Sequence, residues 1–125
     1  MSTLSTANIQ TKAANTPPVI KDVNGTECGK FARAYVVFVG STNAILDSFN
    51  VSSVTENSTG NYSVNFTTAF PDANYAVTHG GHFNDGNGFY HSYRYPTTTK
   101  VDLYFISTAN AYREPVHTSC VIHKG

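Results

Sequence analysis

Apolar and polar side chains alternate with a period of two over much of the chain. Residues 61–67 read NYSVNFT, in which Tyr, Val and Phe alternate with Asn, Ser and Thr. This pattern is typical of a β-strand with one apolar and one polar face. The preceding segment ENSTG ends in Gly60, which can adopt the positive φ that a hairpin turn requires. Residues 51–55 and 61–67 are therefore predicted to form a β-hairpin.

Other predicted strands follow at short and regular intervals. The run RAYVVFV, which begins at Arg33, is rich in β-branched and aromatic residues, as is typical of a strand covered on both faces. Helical spacing persists nowhere for three turns. Six or seven short strands predict an all-β fold, an antiparallel β-sandwich of Ig-like or jelly-roll-like type. The further strands are predicted over residues 75–79, 89–95, 100–107 and 116–123.

The N-terminal 30 residues have no sustained period. They contain a Pro-Pro pair, which favours extended backbone and is excluded from the interior of a helix or a central strand, and they end near the turn-like Asn24-Gly25. We therefore predict an extended arm over residues 1–30 and a β-sandwich over residues 31–125. The arm is expected to mediate attachment and oligomerisation, held by a neighbouring subunit. The residues assigned to this role are Ile9, Pro17, Pro18, Val19 and Ile20.

The charge balance disfavours two classes of function. Lys and Arg together number 8, as do Asp and Glu, so the formal net charge is zero. A nucleic-acid-binding protein normally carries a basic patch, and an anionic membrane surface also requires positive charge. Charged residues make up 13% of the chain, about half the usual share of ~25%. Such a neutral polar surface is typical of particle-borne β proteins and of subunits that bury their flanks in an oligomer.

The termini and cysteines bear on the compartment. The segment MSTLSTANIQTKAANTPP lacks the apolar core of a secretory signal, and no apolar run approaches the length of a membrane span. We expect synthesis in a cytosol, with Cys28 and Cys120 as free, partly buried thiols and a disulfide as the alternative. The Asn-X-Ser/Thr sequences are then by-products of a Ser/Thr/Asn-rich composition.

No arrangement of residues points to catalysis. A glycosidase needs two carboxylates at a set separation across a cleft, and the scattered carboxylates offer no pair to nominate. A nucleophile elbow is also missing from the sequence. We therefore expect a protein that is not an enzyme and needs no cofactor.

One stretch, HGGHFNDGNGFYHSYRY at residues 79–95, is unusual. It could form a glycine-rich hairpin loop whose aromatic residues belong to the core. It could instead form a recognition loop, with aromatic rings that stack on sugars and polar groups that bind hydroxyls. A third interpretation is a metal site, for which His79 and His82 are weak candidates in a threefold assembly. The residues assigned to receptor or glycan binding are His82, Asn84, Asp85, Asn87, Phe89, Tyr90 and Arg94.

Other isolated basic residues have structural interpretations. His117 and His123 fall on one face of the last predicted strand and are expected to be ordinary surface or interface histidines. Arg33 and Arg94 lie within apolar or aromatic runs, where their side chains can stack on neighbouring rings. Arg94 retains a second interpretation as a ligand-binding residue because it ends the glycine-rich stretch.

Two long segments resemble a module found in tail-fibre and other virion proteins of tailed bacteriophages. The first is RAYVVF followed by DSFNVSSVTENSTGNYSVNFTTAFPDANYAV, and the second is ANIQTKAANTPPVIKDVNGTECGKF. The resemblance spans about residues 7–78, and it departs from the module at Tyr35, where Trp is usual. Residues after His79 follow no shared pattern, as a variable recognition end would.

The resemblance implies a homotrimer of β-sandwich domains with extended or intertwined arms, carried on the virion and released by host lysis. It predicts a trimeric tail-fibre subunit that takes part in host-surface recognition. The arm would contact other virion proteins, and the sandwich would bind a surface polysaccharide or protein receptor, without nucleic-acid binding or membrane insertion. One alternative is a head decoration or cement protein that stabilises the capsid. Another is a stand-alone carbohydrate-binding β-sandwich.

Overall fold

A computed structural model describes residues 3, 5–10, 18–86 and 88–124. The chain divides into two compact units, Met1–Phe31 and Ala32–Gly125. No helix long and apolar enough to cross a membrane occurs in these described segments.

The first unit contains a short antiparallel hairpin of β1 (Ile20–Lys21) and β2 (Glu27–Gly29). Its turn is closed by Asp22, whose carboxylate accepts hydrogen bonds from two backbone N–H groups at 2.8 and 2.9 Å, and by Gly25 with φ of 80°. This part of the predicted arm therefore folds back on itself instead of continuing in an extended conformation. Pro17 lies outside the described residues.

The second unit is an antiparallel β-sandwich, which confirms the predicted fold class. Its described residues form two four-stranded sheets, and all of the strand pairs are antiparallel. Sheet I has the order β4-β3-β10-β7 and sheet II the order β5-β6-β9-β8. The strands are β3 (Ala32–Phe38), β4 (Ile45–Phe49), β5 (Val51–Ser58), β6 (Asn61–Phe66), β7 (Ala76–His82), β8 (Phe89–Arg94), β9 (Lys100–Ser107) and β10 (His117–His123).

The core fills the space between the two sheets. Tyr62 lies at its centre, with ring centroids 5.2 Å from Phe38 of sheet I and 6.1 Å from Phe105 of sheet II. Burial of one such side chain stabilises the fold by roughly 1.5–3 kcal/mol. The predicted hairpin of β5 and β6 is confirmed, because the alternation that puts Tyr62 inward also directs the neighbouring Asn and Ser side chains outward.

Strand β3 differs from its prediction. Its residues alternate between buried and half-buried, so that Val36 faces the core while Tyr35 and Val37 lie on the outer face. The prediction of a strand covered on both faces was wrong for β3 and instead describes β9, which is buried at five consecutive residues, 101–105. The reason is that side chains from neighbouring strands cover the outer face of β9.

Strand β4 was missed by the sequence analysis, and a corner residue follows it. Asn50 has φ of 54° and links β4 in sheet I to β5 in sheet II. Its Nδ2 donates to the carbonyls of Arg33 at 3.2 Å and Thr68 at 3.3 Å, and its Oδ1 accepts from the N–H of Thr68 at 2.7 Å. These bonds replace strand pairing at the point where the chain changes sheets.

The glycine-rich stretch does not form a hairpin loop. Residues 79–82 belong to β7, which pairs with β10 in sheet I, whereas β8 pairs with β9 in sheet II. Residues 83–88 therefore connect the edge strands of two different sheets. Both edge strands lie on the same side of the sandwich.

The cysteines are free thiols in the structure. Cys120 is buried in the core, and this burial raises its pKa to about 12. Cys28 is exposed in the first unit, so the expectation of partial burial was wrong for this residue.

Candidate binding site

The predicted recognition residues occupy three different places in the sandwich. His82 and Asn84 lie at the end of β7, where His82 Nε2 is 2.9 Å from Asn84 Oδ1 and both side chains are exposed. His82 is paired with His117 on the outer face of sheet I. Asn87 lies outside the described residues.

Asp85 fixes the connection between β7 and β8. Its carboxylate forms an ion pair with Arg113, and the guanidinium of Arg113 lies over the ring of Phe83 at 4.4 Å. Phe83 in turn packs against Phe89, with ring centroids 4.5 Å apart, and both rings pack against the core. Phe89 therefore has the structural role of a core aromatic, whereas Asp85 stays at the surface.

Tyr90 and Arg94 form the third group, on the outer face of sheet II. They share this face because side chains two and four residues apart on a strand point the same way. Tyr90 is 64% exposed. The guanidinium of Arg94 lies 4.5 Å from the ring centroid of Tyr104. This contact confirms the prediction that Arg94 stacks on a neighbouring aromatic ring.

The two candidate metal-binding histidines do not face each other. His79 is paired with the buried Cys120 and faces inward, whereas His82 is paired with His117 and faces outward. An odd separation along one strand places side chains on opposite faces. The described residues contain no group of three or more His, Cys, Asp or Glu side chains able to hold a metal ion.

His79 lies in a cleft between the edge strands of the two sheets. The ring centroids of His79 and His91 are 4.7 Å apart in an edge-to-face arrangement. Burial and the neighbouring His91 lower the pKa of His79 to about 4, although a hydrogen bond to the backbone of Ser92 opposes the shift. His79 is therefore neutral at pH 7, and its buried Nδ1 has no hydrogen-bond partner among the described residues. The cleft has a volume of about 390 Å³ and is lined by Val77, Thr78, His79, His91, Ser92 and Tyr93.

A network of polar side chains covers the outer face of sheet II next to Tyr90 and Arg94. Asn57 Nδ2 donates to Ser63 Oγ at 2.8 Å, and Ser63 Oγ donates to Asp102 Oδ1 at 2.6 Å. Lys100 Nζ reaches the same carboxylate oxygen at 3.1 Å. Asp102 is only 6% exposed, so its charge is compensated by these donors and not by water.

The amide of Asn65 is held in a similar way. Its Nδ2 lies 3.1 Å from both Ser53 Oγ and Thr55 Oγ1 across the β5–β6 pair. The sequence analysis identified the polar face of β6 but did not assign a site to it. The missing information was the pairing of β6 with β9, which brings Ser63 opposite Asp102.

Two carboxyl groups are brought together elsewhere in the fold. Glu114 forms a side-chain hydrogen bond with Glu56, and this contact is the main cause of the raised pKa of Glu114.

Comparison with known proteins gives a likeness of fold. No family profile and no curated protein sequence matches the chain. A solved structure that matches is the phiAB6 tailspike in complex with three-repeated oligosaccharides of Acinetobacter baumannii surface polysaccharide. The sequence identity is 13% and the TM-score is 0.58. The match covers 98% of this chain and 30% of that chain, so this chain spans about a third of the tailspike's length. Its fold is thus similar to part of a phage tailspike.

Proposed function

We propose that the chain is a virion structural protein of a tailed bacteriophage, a trimeric tail-fibre subunit that takes part in recognition of the host surface. The observation that carries this proposal is a set of exposed tyrosines on and just beyond the edge strand β8: Tyr90 on the outer face of sheet II, Tyr93 at the cleft beside His91, and Tyr95 after the strand. Exposed aromatic rings with polar tips are suited to stacking on sugars while hydrogen-bonding to them. The likeness to part of a phage tailspike supports a place on the virion.

Exposed apolar side chains support assembly into an oligomer. In the first unit, Ile9, Val19 and Ile20 are exposed, as expected of an arm that is held by another subunit. On sheet I, Phe49 stacks on Tyr35 with centroids 6.4 Å apart, yet Phe49 remains 55% exposed. Exposed aromatic side chains of this kind are typical of surfaces that are buried in an assembly.

The oligomeric state is the first test. Light scattering of the purified chain at several dilutions should give the mass of a trimer that persists on dilution. A variant lacking residues 1–25 should be monomeric, because the arm provides the contacts between subunits. A wild-type monomer would contradict the trimeric fibre, and a trimeric truncated variant would contradict the role of the arm.

Particle labelling and adsorption test the place and role of the protein. Antibodies against the chain should label the phage tail, and Tyr90→Ala and Asp85→Ala should each weaken adsorption to the host without unfolding the protein. Asp72→Ala provides a control, since Asp72 is also a surface carboxylate in an ion pair with a basic side chain, that of Lys124. If both the Tyr90 and the Asp85 variants adsorb like the wild type, the recognition role is wrong.

The two alternatives predict other outcomes of the same experiments. A head decoration protein would be labelled on the capsid, and a stand-alone carbohydrate-binding module would be a monomer that labels no particle. The proposed role is non-catalytic. Incubation of the protein with a polysaccharide that it binds should therefore release no new reducing ends. Their release would identify the protein as a depolymerase instead.

A further inference from the structure

The position of Arg94 on sheet II is unusual for a charged residue. Its cross-strand partner is Asp102, the carboxylate with which an arginine would normally form an ion pair. Asp102 instead binds Lys100 at 3.1 Å and Ser63 at 2.6 Å. No ion pair of Arg94 occurs among the described residues. Since Lys100 already compensates Asp102, Arg94 leaves a net positive charge on this part of the face.

Tyr104 holds the guanidinium of Arg94 in place. The ring of Tyr104 is 8% exposed, and Arg94 lies over it at 4.5 Å. Stacking uses the flat face of the guanidinium and leaves its N–H groups, which lie in the plane of the group, available at the edges. A fixed planar fork of this kind matches a carboxylate, which it can bind with two parallel hydrogen bonds.

A row of polar residues extends from Arg94 across the sheet. Successive cross-strand partners are Arg94, Asp102, Ser63 and Thr55. Neighbouring strands are ~4.8 Å apart, so the row spans roughly 14 Å, long enough for a short oligosaccharide. Its two middle residues, Asp102 and Ser63, are 6% and 4% exposed, so the accessible groups of the row are Arg94 and Thr55 at its two ends. Beside the row, the Nδ2 of Asn65 donates to Ser53 and Thr55 within the sheet, and no hydrogen bond to its Oδ1 occurs among the described residues.

We propose that the outer face of sheet II binds an acidic saccharide, with a sugar carboxylate on Arg94 and a sugar hydroxyl on Thr55 at the far end of the row. Tyr90, exposed on the same face of β8, provides a ring against which a sugar can stack. The positive charge of Arg94 complements the negative charge of such a ligand. This inference rests on the proposed role in binding a host polysaccharide and specifies its charge and the place where it binds.

The test compares each acidic oligosaccharide with its uncharged form. Oligogalacturonate and alginate oligosaccharides, together with their methyl esters, are titrated into the full chain and followed by NMR and calorimetry. At least one acid form should bind about tenfold more tightly than its ester, as expected when a charge-assisted bidentate contact is lost. The largest shifts should map to Arg94, Tyr104 and Thr55, and binding should weaken as salt is added.

Matched arginine variants identify the group responsible. Arg94→Gln should weaken binding of the acid form about tenfold and leave the ester unaffected, while Arg94→Lys should fall between wild type and Arg94→Gln because it keeps the charge but loses the fork. Arg33→Gln is the control, because Arg33 also lies over an aromatic ring, that of Phe70 at 5.8 Å. It should bind like the wild type.

Two results would overturn the proposal. One is equal binding of every acid and its ester, and the other is unchanged binding by a folded Arg94→Gln variant. Adsorption and particle labelling are measured independently of these probes. Tail labelling together with Tyr90-dependent adsorption would then preserve the proposed function while rejecting the acidic-saccharide site, whereas unlabelled tails and Tyr90-independent adsorption would reject the proposed function itself.

Discussion

Two polar, glycine-containing segments of the sandwich are similar in composition but differ in their surroundings. The β5–β6 turn contains Gly60 with φ of 71°, and a Cβ added there would lie 2.6 to 2.8 Å from backbone atoms of Phe105 and Arg113. The β7–β8 connection contains Gly86 with φ of 68°, and a Cβ added there would have no atom of the described residues within 4 Å, apart from its chain neighbours. One turn is enclosed by backbone and the other is open.

The difference shows that composition alone does not separate a structural turn from an exposed one. The β5–β6 turn is enclosed because the chain after β9 passes directly over it, where Phe105 N–H donates to the carbonyl of Gly60 at 2.9 Å and Arg113 N–H donates to the carbonyl of Phe105 at 3.0 Å. The β7–β8 connection is held instead by side chains, through the ion pair of Asp85 with Arg113 and the packing of Phe83 on Phe89. No backbone segment crosses it among the described residues, and exposed connections of this kind tolerate sequence variation.

The largest predicted effect is a difference in stability loss between Gly60→Ala and Gly86→Ala. Gly60→Ala and Gly86→Ala each force an alanine into positive φ, at a cost of about 1–2 kcal/mol. Gly60→Ala also forces backbone apart, so its total destabilisation should reach ~3 kcal/mol or more. Urea unfolding of both variants measures the difference. Equal losses of stability would mean that the close backbone contact at Gly60 adds nothing to the destabilisation.

A smaller effect is expected from a tyrosine hydroxyl in each region. Tyr62 is fully buried and donates to the carbonyl of Gly40 at 3.0 Å. Tyr62→Phe leaves that buried carbonyl without its donor and should cost about 1–2 kcal/mol. Tyr90→Phe, on the exposed strand β8, should change the free energy of unfolding by less than ~0.5 kcal/mol. An unchanged free energy of unfolding in Tyr62→Phe would mean that a water molecule replaces the hydroxyl as the donor to Gly40.

The loss of thermal stability at acid pH should depend on His79, which lies in the cleft beside the edge strand β8. The folded pKa of His79 is lowered to about 4 from 6.5, so the unfolded chain takes up the proton first. The stability that the neutral ring provides is present above pH 6.5 and is lost as the pH falls towards 4. His79→Phe should reduce this acid loss, seen as a smaller fall in Tm between pH 6.5 and 4. The exposed His117→Phe is the control and should retain the wild-type fall.

The smallest effect concerns the carboxyl pair. The raised pKa of Glu114 means that the folded state favours its protonated form, so stability decreases as the pH rises through the titration. Glu114→Gln should therefore raise Tm at pH 7 by about 1–2 °C and have no effect at low pH, where both carboxyls are protonated. Glu56→Gln should do the same, and the double variant should gain no more than either. Additive gains would show that the two carboxyls act independently.

The strands with regular alternation were predictable, while those shaped by distant pairing were not. β9 was predicted with its observed bounds and β6 to within one residue. β4 was missed because a register shift against β3 interrupts its period and leaves Leu46 exposed beside Ile45. The glycines of β7 do not favour a strand by themselves. They form one because β10 supplies hydrogen-bonding partners along its whole length.

The candidate site was predictable only in part. Stacking of Arg94 on an aromatic ring was expected from the composition of β8, but the partner, Tyr104, lies on β9 and is known only from the pairing of the two strands. Phe89 and Tyr90 looked equivalent as aromatic neighbours. The fold places one against the core and the other in solvent, since adjacent residues on a strand face opposite sides.

The buried thiol of Cys120 can be used to measure how often the native protein opens. Cys120 is 1% exposed and its thiolate is disfavoured by burial, whereas Cys28 is exposed. A thiol reagent should therefore modify Cys28 in the native protein at once and reach Cys120 only when the two sheets separate. The rate of the second modification would then report how often the native protein opens, without denaturant.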